Sequence, residues 1–472
     1  MKMKVCIGIF LFVFCNIQAQ TYQAFKTKEE YDLFNKIIVD DSYYPCTKDP
    51  NDEIDAFGDG MSKVLEGYIT LYKITKDKAY IYKYMMQSIC IIDNRHDLNG
   101  INSEPRWGCS NCCNNNECMY ADGYIIAAMA RFVYFIYVED PDLLEYQLYP
   151  FSEIEFRGTT FTTLKDYTDW LRAQAEVTLN WFIANGFWDN NFGFKNKPND
   201  QIAAPLNYQV GFARALLFLG YSGNGNPDYQ SKANKISGLL FNDHVSFIDL
   251  CEGMQYETHV FRKDNVNNSY WWYHNGWRIP SEYCESLGTE GPSYNLYTEF
   301  IEDISHGAVD TWLIQDYYDY LPGTPLITDD MIRFRNTFTK RIYDETSNVF
   351  HKAVNGQDSP VSPTGPVDFA VLNYMPLYKY DGADATAIEP NVYNTIMNFY
   401  IAHIAGNTPL PAPQYYEPGQ SNKGHAEVVA AQWDKECVSL TLYNRHLVYD
   451  QDFAVKNNLF VSPAEAAGES YA

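Results

Sequence analysis

The sequence is short of positive charge. Its 35 lysines and arginines stand against 60 aspartates and glutamates, which leaves a formal net charge of −25. Nucleic acids and anionic membrane surfaces bind proteins through basic patches, so this balance argues against both as partners. It does not exclude an anionic substrate, because one local site can be basic on an acidic protein.

Long apolar runs are scarce as well. The first twenty residues, MKMKVCIGIFLFVFCNIQAQ, combine two lysines, an apolar run and a small residue, which is the pattern of a secretory signal peptide cleaved after Ala19 or Gln20. A lipoprotein signal at Cys15 fits less well, because bulky Phe14 precedes it. No later apolar segment is long enough to predict a membrane span. The sequence therefore predicts a secreted or periplasmic protein with residues 1–20 removed.

Separated pairs of metal-binding cysteines are missing. The chain has 11 cysteines, and loss of the predicted signal peptide with two of them leaves an odd number. The cluster from Cys109 to Cys118 is dense, but zinc sites usually show two separated ligand pairs. Disulfides that clamp the loop over 93–121 are the preferred hypothesis, with Cys90, Cys46, Cys251 and Cys284 as the candidate partners and the connectivity left open. No metal or other cofactor is predicted.

Aromatic residues are abundant, at 16% of the chain with 39 tyrosines. Tyr and Trp suit surfaces that must be flat and apolar and still form hydrogen bonds, as sugar-binding grooves are. A tyrosine-rich core is the alternative explanation for each tyrosine taken singly.

Helical periodicity dominates from about residue 28 to 405 and predicts five helical hairpins. A further lone helix is predicted near 29–39. The apolar stripes of the five pairs are Met61 to Tyr72 with Ile81 to Met85, Ile125 to Ile136 with Trp170, Val177 and Trp181, Val210 to Leu219 with Tyr229 to Leu240, His306 to Tyr320 with Ile327 to Ile342, and Leu372 to Leu377 with Val392 to Ile404. Serial hairpins must bury their faces against one another, in a closed ring or in an open solenoid. Because the spacing is irregular, the ring is favoured.

The connectors leading into the later hairpins are long, over about 93–121, 186–206, 242–304 and 344–367. In an alternating ring all of them emerge at one face, which also receives the positive N-terminal ends of the first helices. Long loops rich in Trp, Tyr and His are typical of a functional site. The sequence therefore predicts a site for an acidic ligand at this face.

Three segments carry a resemblance: DGMSKVLEGYITLYKITKDKAYIYKYM, YADGYIIAAMARFVYFI and EDISHGAVD. Over residues 28 to 405 the chain resembles the six-hairpin, (α/α)-toroid carbohydrate-active enzymes, which include polysaccharide lyases and glycoside hydrolases. The resemblance implies an all-α toroid of about five to seven hairpins at 21–408. A Pro-rich linker and a short β segment are expected at 409–472.

The longest connector, YWWYHNGWRIPSEYCESLGTEGPSYNLYTEFIEDISHG, concentrates the candidate site residues. β-Elimination of a uronic-acid polymer needs a base, a group that neutralises the sugar carboxylate, and an acid for the leaving oxygen. The resemblance implies Tyr, His, Asn and Arg in these roles, and the matching candidates are His274, Arg278, Tyr283, His306 and Asn207. Trp271, Trp272 and Trp277 are expected to stack on sugars, and Asp122, Glu302 and Asp303 to bind the substrate.

Several alternatives remain open from the sequence. A glycoside hydrolase would use two carboxylates, for which Glu302 and Asp303 would need partners such as Asp122, Asp59 or Glu290. A glycan-binding protein would use the aromatic surface without chemistry. The loop could also pack on its own aromatics, and acids before a helix start stabilise the helix dipole without any catalytic role.

Overall fold

The computed structural model describes only part of the chain, and this part is mostly helical, as the sequence predicts. The described residues are 57–58, 62–76, 78–108, 119–148, 155–191, 193–195, 197–198, 203–242, 245–249, 254–258, 260–272, 301–344, 349–351, 353–356, 374, 377, 431–433 and 438–440.

Eight helices longer than one turn form four consecutive pairs within these residues. They are α1 (Ser62–Thr75), α2 (Ala79–Asp93), α3 (Met119–Tyr134), α4 (Leu164–Ala184), α5 (Leu206–Tyr221), α6 (Pro227–Ser237), α7 (Ile304–Tyr320) and α8 (Thr328–Thr337). They coincide with the first four predicted hairpins. The predicted fifth pair, apart from Tyr374 and Leu377, and the lone helix near 29–39 lie outside the described residues.

The first helices of neighbouring pairs run parallel to each other. At the N-terminal ends of α3 and α5, the Tyr124 hydroxyl donates to the Asn207 carbonyl at 2.9 Å. Towards their C-terminal ends, the rings of Tyr134 and Phe218 pack with centroids 5.3 Å apart. Both helices therefore begin at the same end of the molecule.

The same orientation extends to α1 and α7. Tyr72 near the end of α1 packs against Phe135 just after α3, with ring centroids 5.7 Å apart. On the other side, Phe218 of α5 packs against Tyr320 at the end of α7, at 5.6 Å. Helices α1, α3, α5 and α7 therefore begin at one end, which is also where the connectors over 93–121, 186–206 and 242–304 enter α3, α5 and α7.

Helices α3 and α5 approach each other at a pair of glycines. A Cβ built on Gly211 would overlap the carbonyl carbon of Gly123, and one on Gly123 would lie 2.8 Å from the ring of Phe212. No larger residue fits either position without separating the helices. This contact explains why the two backbones pack so closely.

Buried charges link the parallel helices further along their length. Arg214 of α5 forms a two-point ion pair with Glu66 of α1, at 2.7 Å for each contact, and its Nε contacts Asp316 of α7 at 2.5 Å. Arg131 of α3 contacts Glu139 at 2.6 Å. Because each buried charge has an opposite partner, the core tolerates it.

The second helix of each pair folds back along the first. Tyr167 at the start of α4 packs edge-on to Phe132 near the end of α3, with centroids 5.9 Å apart. Tyr374 joins the start of α7 to the end of α8, since it donates to the Ile304 carbonyl at 3.3 Å and stacks on Phe338 at 5.2 Å. The C-terminal end of α8 therefore lies at the same end of the molecule as the start of α7.

Short antiparallel strand pairs lie mainly in the connectors between the helices. They are β1 (Glu155–Phe156) with β2 (Thr159–Thr160), β3 (Trp188–Asp189) with β4 (Gly193–Phe194), β5 (Val245–Asp249) with β6 (Met254–Thr258), β7 (Arg262–Asp264) with β8 (Ser269–Trp271), β9 (Tyr343–Asp344) with β10 (Val349–Phe350), and β11 (Ala431–Trp433) with β12 (Val438–Leu440). The last pair lies in the segment where the sequence predicts β structure. The connector over 242–304 thus contains two strand pairs.

The prediction of which face of α4 is buried is wrong. Val177 is 43% exposed, and Trp170 and Trp181 are only half-buried. The buried face is offset from this stripe and comprises Leu164, Tyr167, Thr168, Leu171, Ala175, Thr178, Leu179 and Phe182. Ile327, predicted on the apolar stripe of α8, is 59% exposed and precedes the helix.

One helical segment contradicts the expectation that no apolar segment after the N-terminus is long enough to span a membrane. Met119–Glu139, which is α3 with the turn after it, is long and apolar enough to cross a membrane, and 89% of its most apolar window is buried inside the protein. This packing is that of a central core helix. Cys90, at the end of α2, is disulfide-bonded, and its partner lies outside the described residues.

Candidate active site

The segment 301–303 is held between two other pieces of chain. The backbone N–H of Glu302 donates to the carbonyl of Trp272 at 3.0 Å, and the Glu302 carbonyl accepts from Val354 at 2.9 Å. Asp303 and Ala353 form an antiparallel bridge. These contacts fix the position of the last residues of the longest connector, directly before α7.

Asp303 caps α7 and also contacts the histidine one turn later. Its Oδ1 accepts the backbone N–H of His306 at 3.0 Å, as an N-cap carboxylate does. Its Oδ2 lies 2.5 Å from Nδ1 of the same residue. The side chains of His306 and Asp303 are 36% and 47% exposed, so the pair is within reach of a ligand.

A second carboxyl lies behind this pair. Glu302 is fully buried, and its Oε1 is 3.8 Å from His306 Nδ1. Burial raises the pKa of Glu302 to about 8, with the charge of Asp303 acting in the same direction and that of His306 opposing it. Near neutral pH this carboxyl therefore holds a proton.

Asp310 completes the group from the next turns of α7. It is fully buried, and its Oδ2 accepts the indole N–H of Trp272 at 2.8 Å. Burial and then the charge of the neighbouring Glu302 raise its pKa well above the usual value. Two acids in one dry pocket cannot both ionise without a large cost, so the Glu302–Asp310 pair retains at least one proton.

Tight packing fixes the first turn of α7. A Cβ on Gly307 would lie 2.6 Å from the Tyr374 hydroxyl, 2.8 Å from Val354 and 3.2 Å from Trp272. A glycine is therefore required next to His306. The surrounding side chains leave the turn little freedom to move, so the orientation of His306 is set by the fold.

The arrangement is suited to proton transfer. In a neutral imidazole, the Nδ1 that faces Asp303 carries the proton, and Nε2 is the nitrogen able to accept one. A carboxylate that holds the tautomer and stabilises the imidazolium makes the histidine a better general base. Asp303 and His306 have the geometry for these two roles.

Glu302, Asp303 and His306 also meet a simple geometric condition for a cation site. One potential ligand atom from each lies within 4.8 Å of the other two. In the same group, the described contacts join His306 to Asp303 at 2.5 Å. The geometry therefore suits either a cation or proton transfer.

The two tryptophans predicted to stack on sugars are placed differently. Trp271 is half-buried, with the Arg262 guanidinium 5.0 Å from its ring centroid. Trp272 is fully buried and packs against Phe261 and Phe334, with centroids 5.4 Å and 5.9 Å away. The prediction for Trp272 is corrected, because a ring with no exposed face cannot stack on a ligand. It positions Asp310 instead.

Asp122 and Asn207 lie in the first turns of α3 and α5, at the predicted end of the molecule, but both are buried. Asp122 accepts the backbone N–H of Trp107 at 2.7 Å and pairs with Arg106 at 3.2 Å. It therefore anchors the connector before α3, and a substrate-binding role for it is corrected. Within the described residues no hydrogen bond or ion pair joins Asp122 or Asn207 to His306.

Four of the predicted site residues, His274, Trp277, Arg278 and Tyr283, lie outside the described residues. Their proposed roles stay predictions.

Asp310 was missed by the sequence reasoning, although a signal was present. It follows His306 by four residues, and residues spaced i, i+4 share one face of a helix. A charged residue on the apolar face of a core helix is unusual enough to indicate a partner, and here the partners are Glu302 and Trp272.

Comparisons with known proteins add no relative: no family model, no curated protein and no solved structure matches this chain.

Proposed function

We propose that the protein is a secreted enzyme that cleaves an acidic, uronic-acid-containing polysaccharide by β-elimination, on an (α/α) toroid. The observation that carries this proposal is the His306–Asp303 pair, partly exposed at the start of α7 and backed by the buried, protonated Glu302. A histidine oriented by a carboxylate is suited to remove the proton at C5 of a uronate.

The proton and electron movements follow from the reaction. Nε2 of His306 takes the C5 proton, the C5–H electron pair forms the C4=C5 double bond, and the C4–O bond breaks towards the leaving sugar. The leaving oxygen needs a proton and the sugar carboxylate needs a positive or hydrogen-bonding neighbour. Tyr283 is proposed for the first role, and Arg278 and His274 for the second.

Parallel packing of α1, α3, α5 and α7 supports the toroid part of the proposal. In such a ring the helices that line the centre all begin at one end, and the connectors that enter them share that end. The described hairpins follow this alternation through four pairs. Closure of the ring is part of the proposal.

A hydrolase is supported less well by the same group. A glycosidase needs a carboxyl that can protonate the glycosidic oxygen. Glu302 has no exposed surface from which to do so. This burial favours the lyase.

The test incubates the full-length mature protein with polyuronates, glycosaminoglycans and neutral polysaccharides, and records two signals together. A lyase produces an unsaturated uronide that absorbs in the ultraviolet, along with new reducing ends. Reducing ends alone would indicate a hydrolase, and binding without either signal would indicate a glycan-binding protein. Either of these results would overturn the proposal.

Variants locate the activity. We expect His306→Gln to lower turnover by roughly 10²- to 10⁴-fold, the usual contribution of a general base. Glu145→Gln, at an exposed position away from α7, serves as the control and should retain wild-type turnover. Full activity in the His306 variant would remove that residue from the mechanism.

A further inference from the structure

A cavity of about 330 Å³ lies where α8 ends, separate from the His306 group. Its wall is built from the turn after α8 and from two other segments of chain, and six of its polar residues are Asn267, Thr339, Lys340, Arg341, His351 and Asn355. Ligand pockets of about 300 Å³ and above accommodate small organic molecules. The cavity has room for about one monosaccharide and exceeds the needs of a single small ion.

The lining is basic on a strongly acidic protein. Among the described lining residues, Lys340, Arg341 and His351 are basic and none is an Asp or a Glu. Arg341 pairs with Asp264, which leaves Lys340 as an exposed cation that forms no ion pair with the described residues. The lining therefore carries a net positive charge on a chain whose overall charge is −25.

Arg341 is a fixed part of the wall. Its Nε donates to the Ser269 hydroxyl at 2.9 Å, and its two terminal nitrogens contact the Asn355 carbonyl and the Asp264 carboxylate. The guanidinium thus ties together the three segments that form the cavity. Because these segments are held in place, the cavity is formed before any ligand arrives.

One polar atom in the wall lacks a partner. Thr339 is 9% exposed, and its buried Oγ1 forms no hydrogen bond. A buried hydroxyl without a partner costs roughly 1–3 kcal/mol.

The cavity lies at the same end of the molecule as His306. Asn355 and Gly356 line it. Just before them in the chain, Ala353 forms a β-bridge with Asp303, and the backbone N–H of Val354 donates to the Glu302 carbonyl. One short segment, 353–356, therefore borders the cavity at one end and supports the His306 group at the other.

We propose that this cavity binds one acidic sugar unit. Lys340 and His351 meet the carboxylate, and the side-chain amides of Asn267 and Asn355 meet the sugar hydroxyls. The choice of a sugar as the ligand rests on the proposed function, whereas the preference for a negative charge rests on the lining alone.

The test measures direct binding by titration calorimetry or protein-observed NMR, so it needs no catalysis. Glucuronate and galacturonate are the probes, and glucose, acetate and inorganic phosphate are the comparisons. We expect a uronate to bind more tightly than each of these three. Equal binding of acetate or phosphate, or no binding of either uronate, overturns the proposal.

One variant and one matched control locate the binding. Lys340→Gln should weaken uronate affinity about tenfold, because it removes a charge-assisted contact. Lys263→Gln removes an exposed lysine on β7 that does not line the cavity and should bind as wild type does. If Lys340→Gln binds as tightly as wild type, the assignment fails.

The outcome is separable from that of the proposed function. His306→Gln should still bind uronate in the cavity although its turnover is lost. If the wild type cleaves no glycan but binds uronate with the Lys340 dependence, the cavity assignment stands and the lyase proposal falls. If it cleaves polyuronate but shows no such binding, the reverse holds.

Discussion

His306 and Asp303 are joined twice: the backbone N–H of His306 donates to Oδ1 of Asp303 at 3.0 Å, and its Nδ1 lies 2.5 Å from Oδ2. One carboxylate thus starts helix α7 and orients the imidazole in its first turn. The Asp303 side chain caps the helix and is also proposed to assist the chemistry. A useful substitution must remove one of these roles and keep the other.

Asp303→Asn is the substitution that does so. Asn caps a helix about as well as Asp, so we expect the free energy of unfolding to change by less than about 1 kcal/mol. Turnover should fall at least about tenfold, because a neutral amide does not stabilise the imidazolium. Chemical denaturation and turnover on the same preparation give both values.

Asp303→Ala is the companion variant. It removes the cap as well and should cost about 1 kcal/mol of stability in addition to the loss of turnover. If Asp303→Asn keeps full turnover, the pair is only a helix cap.

The buried Glu302 makes stability depend on pH. Its pKa is about 8 in the folded state against 4.5 for the free side chain, so between these values the unfolded chain binds fewer protons than the folded one. The free energy of unfolding then falls as pH rises from about 4.5 to 8. Glu302→Gln keeps a neutral group of the same shape and should be more stable than wild type at pH 8 by about 4 kcal/mol, as the difference between the two pKa values requires.

Urea denaturation at several pH values between 5 and 8 measures this difference. Asp310 contributes in the same direction and remains in the variant, so the slope should become shallower but not vanish. Glu145→Gln, at an exposed site, should follow the wild-type curve. Parallel curves for wild type and Glu302→Gln would show that Glu302 does not hold its proton in this range.

Trp271 and Trp272 provide a matched pair on successive positions of one chain. Trp272→Phe removes the N–H that bonds Asp310 at 2.8 Å and leaves a buried carboxyl short of a donor. We expect a loss of about 1–3 kcal/mol in the free energy of unfolding. Trp271→Phe, at the half-buried neighbour, should cost less than about 1 kcal/mol. Equal losses in the two variants would contradict the inward role of Trp272.

Arg214 is expected to be the most sensitive of the buried cations. Asp316 and Glu66 raise the pKa of its guanidinium even though burial alone would lower it. Arg214→Met removes the cation that contacts both carboxylates directly and should cost about 3–5 kcal/mol. Arg157→Met is the control, since Arg157 is 46% exposed where it pairs with Asp93, and surface pairs contribute about 1 kcal/mol or less. Thermal unfolding of the two variants side by side tests the contrast.

The helical hairpins were predictable because apolar residues recur with the period of a helix over long stretches. The face of α4 was not, because Trp170 and Trp181 are amphipathic and can lie at the edge of a core as readily as inside it. The burial of Trp272 could not be predicted from the sequence for a related reason. Successive residues of an extended strand point to opposite faces, and the sequence does not say which face is covered.

The candidate site was predictable only where its residues are close in sequence. Glu302, Asp303 and His306 lie within one helical turn of each other, and their grouping follows from that spacing. The cavity at the end of α8 combines residues near 267, 340 and 355. The cavity exists only because three segments that are distant in sequence pack together. No local sequence pattern predicts such packing.

The glycine contact between α3 and α5 has a consequence for motion. With Gly123 set against Gly211 and no side chain between the backbones, the two helices can neither slide nor roll past each other without a collision of main-chain atoms. The connectors that enter α3 and α5 are therefore mounted on a common rigid block.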